Sequence, residues 1–139
     1  MNGVALPVLF HNAAGQLQED PAGFLYIRWA AHARTLADTQ ALFSSMSEAL
    51  RRRGWGKILI NQVEMWPFSP AEQQWVAQEW LPRAVRESGY RYGAVLVSHD
   101  AYTRLATAYI TTSVGGLPLR YRSFDEEAQA RAWLRQQPG

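Results

Sequence analysis

Arg120-Tyr121-Arg122-Ser123-Phe124, followed by Asp125-Glu126-Glu127-Ala128 and then Ala132-Trp133-Leu134, is the stretch that decides the fold. It reads as a short strand, an acidic turn and a closing amphipathic helix with an aromatic anchor, the ending of an α/β layer structure. The three acids fall in the first helical turn, where the macrodipole favours negative charge. They therefore read as helix stabilisation and not as an acid–base pair.

Three strand-then-helix alternations precede this ending. Tyr92-Gly93-Ala94-Val95-Leu96-Val97 and Lys57-Ile58-Leu59-Ile60-Asn61 are near-continuous apolar runs, the pattern of central parallel strands buried on both faces. Between them, Ser69-Pro70-Ala71-Glu72 opens a helix with a capping box and proline at the first helical position. Its apolar stripe is Trp75, Val76, Trp80, Leu81 and Ala84, and Pro82 predicts a kink near Gln78 to Trp80. Upstream, Thr35 caps a long helix whose apolar residues recur from Leu36 through Leu50 at a 3.6-residue period, ending at Gly54. Pro7 to His11 and Phe24 to Trp29 read as paired strands across a turn. Asp100 or Ser98 caps a helix carrying Tyr102, Leu105, Ala106, Tyr109 and Ile110, and Ser113 to Pro118 turns into the last strand. The expected fold class is α/β: a single-layer mixed, mostly parallel five-stranded sheet with four helices, in the order β-β-α-β-α-β-α-β-α, forming one domain over residues 1–139.

Composition narrows the function classes. Apolar residues make up 47% of the 139 residues, enough for one core. Six Trp, six Tyr and five Phe either fill that core or line a groove. The absence of Cys excludes disulfides, thiolate catalysis and cysteine metal sites. A formal charge of +2, with Lys57 the only lysine, does not suggest a nucleic-acid protein. Arg51, Arg52 and Arg53 stand at a helix end, where cations complement the dipole. No apolar run reaches the length of a membrane span and the start of the chain lacks a signal-peptide pattern, so a cytoplasmic protein is expected.

Candidates for chemistry are few. His11, His32 and His99 lack ligand spacing, so no metal site is expected. Gly115-Gly116 has no Lys-Ser/Thr after it, hence no P-loop, and no cofactor is implied. Ser44, Ser45 and Ser47 lie inside a helix and lack a nucleophile elbow. No catalytic set assembles, and the chain reads as non-enzymatic. The stretch Gln62 to Phe68 carries Met65, Trp66 and Phe68, more apolar surface than a solvated connection needs, which makes it the expected contact surface together with Ser69 and the helix start. On this reading the partner is a protein, or a second copy of the chain in a homodimer. The alternative is a small apolar ligand or lipid in a pocket walled by Trp66, Phe68, Trp75, Tyr102 and Tyr109, at the C-terminal ends of the strands.

The chain resembles the bacterial STAS-type proteins, which share the fold of the anti-sigma-factor antagonists and are grouped with the CRAL-TRIO lipid-binding domains. The likeness rests on Tyr26-Ile27-Arg28-Trp29, Ile58-Leu59-Ile60-Asn61, Trp80-Leu81-Pro82 with Gly89, Ala94-Val95-Leu96-Val97, Phe124, Ala128 and Trp133-Leu134. These are packing motifs and bear on fold more than on role. The resemblance implies a small regulatory domain without enzymatic activity, and a phosphorylated serine at the start of the helix after the central strand. Ser69 is the nearest candidate for that serine. Its chain context departs from the family, with Asn61 and a longer loop in place of Asp-x-Ser, and Pro70 removing an amide that would hold phosphate. The residue chemistry reads Ser69 as a helix cap first.

Overall fold

One mixed sheet of six strands, in the spatial order β1-β2-β3-β4-β5-β6, organises the computed structural model, which describes residues 6–139. The elements are β1 (Val8–His11), β2 (Gly15–Asp20), β3 (Phe24–Trp29), α1 (Leu36–Arg53), β4 (Lys57–Asn61), α2 (70–88), β5 (Tyr92–Leu96), α3 (Ala101–Thr112), β6 (Arg120–Phe124) and α4 (Glu127–Gln136). The first three strands pair antiparallel and β3 to β6 pair parallel. The reading of the N-terminal segment as free of a leader concerns residues that lie partly outside those described.

The sheet has six strands where the sequence predicts five. Phe24–Trp29 pairs not with Val8–His11 but with the intervening Gly15–Asp20, in register from Gly15 opposite Trp29 to Asp20 opposite Phe24. Gly15-Gln16-Leu17-Gln18-Glu19-Asp20 has one large apolar side chain and lacks β-branched residues, so nothing local marks it as a strand. It becomes one because ladders on both sides satisfy its backbone while Leu17, 1% exposed, enters the core.

Because the strands follow one another across the sheet in a single direction, crossovers of one hand must all pass over the same face. Leu42, Phe43 and Met46 of α1, Trp80 and Leu81 of α2, and Ile110 of α3 share one apolar cluster with Leu25, Ile27, Ile58, Ile60 and Val95 of the sheet. The final helix closes no crossover and takes the opposite face. There Ala130 and Leu134 pack on Phe24, Tyr26, Leu59, Leu96 and Phe124. Lys57 fastens the end of that helix by donating from Nζ to the Gln137 carbonyl at 2.7 Å.

Helix α2 runs through three segments, α-helical Pro70–Trp75, π-helical Val76–Trp80 and α-helical Leu81–Ser88. The irregular turn falls where Pro82 predicts a kink. Proline lacks an N–H and crowds the carbonyl four residues back, and a wider turn relieves both conditions, with the Leu81 N–H reaching the Val76 carbonyl. The wide turn also lets the Trp80 indole N–H reach the Phe43 carbonyl of α1 at 2.9 Å. Helix α1 starts on the Thr35–Asp38 capping box and ends at Gly54, whose φ of 67° requires the left-handed region.

The pairing of β2 is open to a direct test. A Cβ at Gly15 would stand 2.4 Å from the Arg28 carbonyl oxygen, a backbone atom that cannot yield cheaply. Gly15→Ala is expected to cost about 1–3 kcal/mol in urea unfolding, whereas Gln16→Ala on the same strand costs no more than about 0.5 kcal/mol.

Candidate functional site

The connection from β4 to α2 is built around a buried ion pair. Arg34 and Glu72, with side chains 4% and 5% exposed, meet in a two-pronged contact: Nε to Oε2 at 2.8 Å and Nη2 to Oε1 at 3.1 Å. The remaining guanidinium donors reach the Trp66 carbonyl at 3.2 Å and the Pro67 carbonyl at 3.3 Å. Thr39 of α1 donates to Glu72, and the Ser69 N–H does the same at 2.7 Å. The cation lies over the rings of Trp29 and Phe68, 5.1 Å and 5.5 Å from their centroids. Charge, planar fork and aromatic faces are all engaged, so the loop is held against α1 and α2 at both backbone and side chain.

This clamp changes the expected contact surface. Met65 and Phe68, expected at an exposed surface, are 3% and 5% exposed. They are core residues, because Arg34 draws the Trp66–Pro67 backbone inward and Phe68 stacks edge-on against Trp29. Trp66 alone of the three turns outward, at 51%. Ser69 caps α2, accepting from the Glu72 N–H at 3.1 Å. Trp75 is half-buried, packed against Phe43.

Helix α3 carries two apolar stripes. Thr103, Ala106 and Ile110 face inward, whereas Tyr102, Leu105 and Tyr109, read from sequence as part of one buried face, are 75%, 69% and 51% exposed. The inward stripe is fixed by polar contacts: Thr103 Oγ1 donates to the Met65 carbonyl at 3.2 Å and Thr107 Oγ1 to Gln62 Oε1 at 2.8 Å. These bonds join α3 to the loop that carries Trp66.

The five residues expected to wall a ligand pocket do not share one. Of them, Phe68 borders a partly open cavity of about 30 Å³, together with Trp29, Phe43, Gln62, Trp80 and Tyr121. A water needs roughly 10–15 Å³ of such space, so the cavity has room for one or two. Beside it, the Tyr90 hydroxyl donates to that of Tyr121 at 3.1 Å. Burial pushes both phenols well above their ordinary value of 10.0; the neighbouring Tyr121 raises Tyr90 further, whereas the hydrogen bond from Tyr90 partly offsets the rise at Tyr121.

A second polar network, on the opposite sheet face, escapes the sequence reading. Tyr26 donates to Glu127 Oε1 at 2.9 Å and accepts from Asn61 Nδ2 at 3.0 Å, and burial raises its pKa. Arg131 bridges Glu127 at 2.8 Å and Asp20 at 2.5 Å. Of the acids expected in the first turn of the last helix only Glu127 lies there, Glu126 being the N-cap and Asp125 preceding it, and Glu127 does more than favour a dipole: it ties α4 to the sheet. The available signals were Asn61 ending an apolar run and Arg131 standing four residues after Glu127.

Among the described residues no buried side-chain nitrogen or oxygen lacks a partner. The molecule is an α/β protein with a mixed six-stranded sheet, and none of its described helices is long and apolar enough to cross a membrane. No family model, curated protein or solved structure matches the chain.

Two outcomes follow from this geometry. Arg34→Ala strands the Glu72 carboxylate in the interior and is expected to cost about 3–5 kcal/mol in urea unfolding. Arg34→Leu combined with Glu72→Leu costs less than the sum of its single changes. The phenols of Tyr90 and Tyr121, raised in the folded state, stabilise it fully below their unfolded value of 10.0, and that contribution is lost as pH rises toward their folded values. Absorbance at 295 nm is therefore expected to show these two tyrosines ionising together with alkaline unfolding, not before it.

Proposed function

We propose that the protein is a non-enzymatic interaction module and that its first contact surface is the outward stripe of α3 with Trp66, occupied by a second copy of the chain. The observation that carries this reading is the double-sided apolar character of α3. A helix apolar on one stripe is satisfied by its own core, and a second stripe calls for a second surface. Tyr102, Leu105 and Tyr109 fall three and four residues apart, the spacing of a helix–helix seam.

The size of the patch fits such a contact. With their exposures, Trp66, Tyr102, Leu105 and Tyr109 present roughly 500 Å² of apolar surface. The exposed Ala101, Ala108 and Thr112 beside them extend the area toward the about 800 Å² that a stable contact buries on each partner. Arg104 is the single charged residue of α3, so two such helices crossing at Leu105 meet with little like-charge cost. Tyrosine and tryptophan are also the side chains that most often carry interface energy.

The polar side chains nearest the strand C-terminal ends support the non-enzymatic part of the reading. Arg34, Glu72, Thr39, Asn61, Tyr26 and Glu127 are each engaged in holding one element to another. The role that results, a small regulatory domain acting by contact, is the kind implied by the STAS-type resemblance.

Sedimentation equilibrium tests the contact. At tens of micromolar the protein is expected to be dimeric, and Trp66→Ser with Tyr102→Ser to yield a monomer of unchanged thermal midpoint. A monomer for the unaltered chain at that concentration, or a dimer indifferent to both substitutions, contradicts the assignment.

A further inference from the structure

The sheet ends on β6, and the register shows which of its backbone groups are free. The Arg120 N–H donates to the Arg91 carbonyl and the Val97 N–H to the Phe124 carbonyl, both at 3.0 Å. Residues of a parallel strand alternate in the neighbour to which they turn both backbone groups. Arg120, Arg122 and Phe124 therefore face β5, and Tyr121 and Ser123 point their N–H and C=O outward. Among the described residues no strand pairs with that side.

This edge is flanked by clefts on both faces of the sheet. On the α3 side a cleft of about 530 Å³ is floored by Val95, Val97 and Ser123 and walled by Ala101, Arg104 and Leu105. On the α4 side a cleft of about 450 Å³ is bordered by Arg122, Ser123, Phe124, Gln129 and Trp133. Ser123 belongs to both. A strand added beside β6 would drop its alternate side chains into the two clefts while its backbone met the free groups of Tyr121 and Ser123. That is the arrangement by which sheet edges bind extended segments, with affinity from the main chain and selectivity from the side-chain clefts.

Charge selects the occupant. Arg120 and Arg122 are exposed on the α4 side and Arg104 is exposed at the rim of the α3-side cleft. None of the three takes part in an ion pair among the described residues, unlike Arg34, Arg53 and Arg131. Asp125 and Glu126 stand just past the C-terminal end of the strand, so the positive charge is concentrated along the strand itself. The α3-side cleft is floored by valines. We propose that β6 is a docking edge that takes an extended segment of another protein as a seventh strand, with acidic side chains toward Arg120 and Arg122 and apolar ones toward Val95 and Val97. The edge adjoins the α3–Trp66 contact, sharing Ala101 and Leu105 at the wall of one cleft, but it is argued from the strand and does not rest on that contact.

The probe is a fluorescein-labelled octapeptide of alternating Glu and Val, titrated by anisotropy against the full chain up to about 1 mM, the limit of a weak specific contact. Saturable binding is expected, at least tenfold weaker for Arg122→Glu and for Ser123→Pro. Proline at position 123 removes an outward N–H and leaves the β5 ladder intact. The same peptide N-methylated at alternate residues, and its Lys-for-Glu counterpart, are expected not to bind. The N-methylated peptide keeps the test decisive should Ser123→Pro lower the thermal midpoint. Trp66 borders neither cleft, so Trp66→Ser is expected not to weaken binding, which separates the edge from the α3 contact. Absence of binding at the highest concentration, equal binding of the N-methylated peptide, or self-association of the chain that Ser123→Pro abolishes would each overturn the proposal.

Discussion

Every crossover in this protein adds its strand to the same side of the sheet, and that constraint governs where everything else can go. Parallel neighbours joined in sequence require each connecting helix to return over the same face, so α1, α2 and α3 crowd one side. The other side is left to the single helix that follows the last strand. Growth in one direction also means that the last strand has no successor. Helices packed over the inner strands leave β6 overhanging, with a cleft above and a cleft below. The open edge follows from the topology and is not a local accident of sequence.

Within that frame the buried Arg34–Glu72 pair decides what the surface looks like. Taking both charges out of water is costly, and the cost is offset only because nearly every donor and acceptor finds a partner. The partners are backbone carbonyls of the loop and the cap of α2, so satisfying the charge also fixes the loop. Met65 and Phe68 are drawn into the core and Trp66 is turned out. The face that α3 turns outward is then set by the bonds of Thr103 and Thr107 to the same loop.

The sequence was informative wherever local chemistry and tertiary context agree. Thr35, Ser69 and Asp100 cap their helices, the runs at Lys57–Asn61 and Tyr92–Leu96 are interior parallel strands, and Pro82 marks the irregular turn of α2. It was silent where context acts alone. Gly15–Asp20 is a strand because of its neighbours, and its Gln and Glu side chains carry no β signal. The outward turn of Tyr102, Leu105 and Tyr109 was hidden because Ala106 and Ile110 made one apolar stripe seem sufficient. Arg34 gave no warning either, since its partner lies 38 residues away. Two residues expected at a surface were therefore placed wrongly, and the edge at β6 was legible as a strand but not as an edge.

Residue-resolved amide hydrogen exchange on the isolated chain at neutral pH tests the central claim, that β6 is an open edge, most directly. Amides that face β5 open only with the sheet, whereas outward amides exchange from the native state. The account predicts alternation along the strand, with the Arg122 and Phe124 amides exchanging at least about a hundredfold more slowly than those of Tyr121 and Ser123. Uniform protection from Arg120 to Phe124 would contradict it, since something would then already cover the edge.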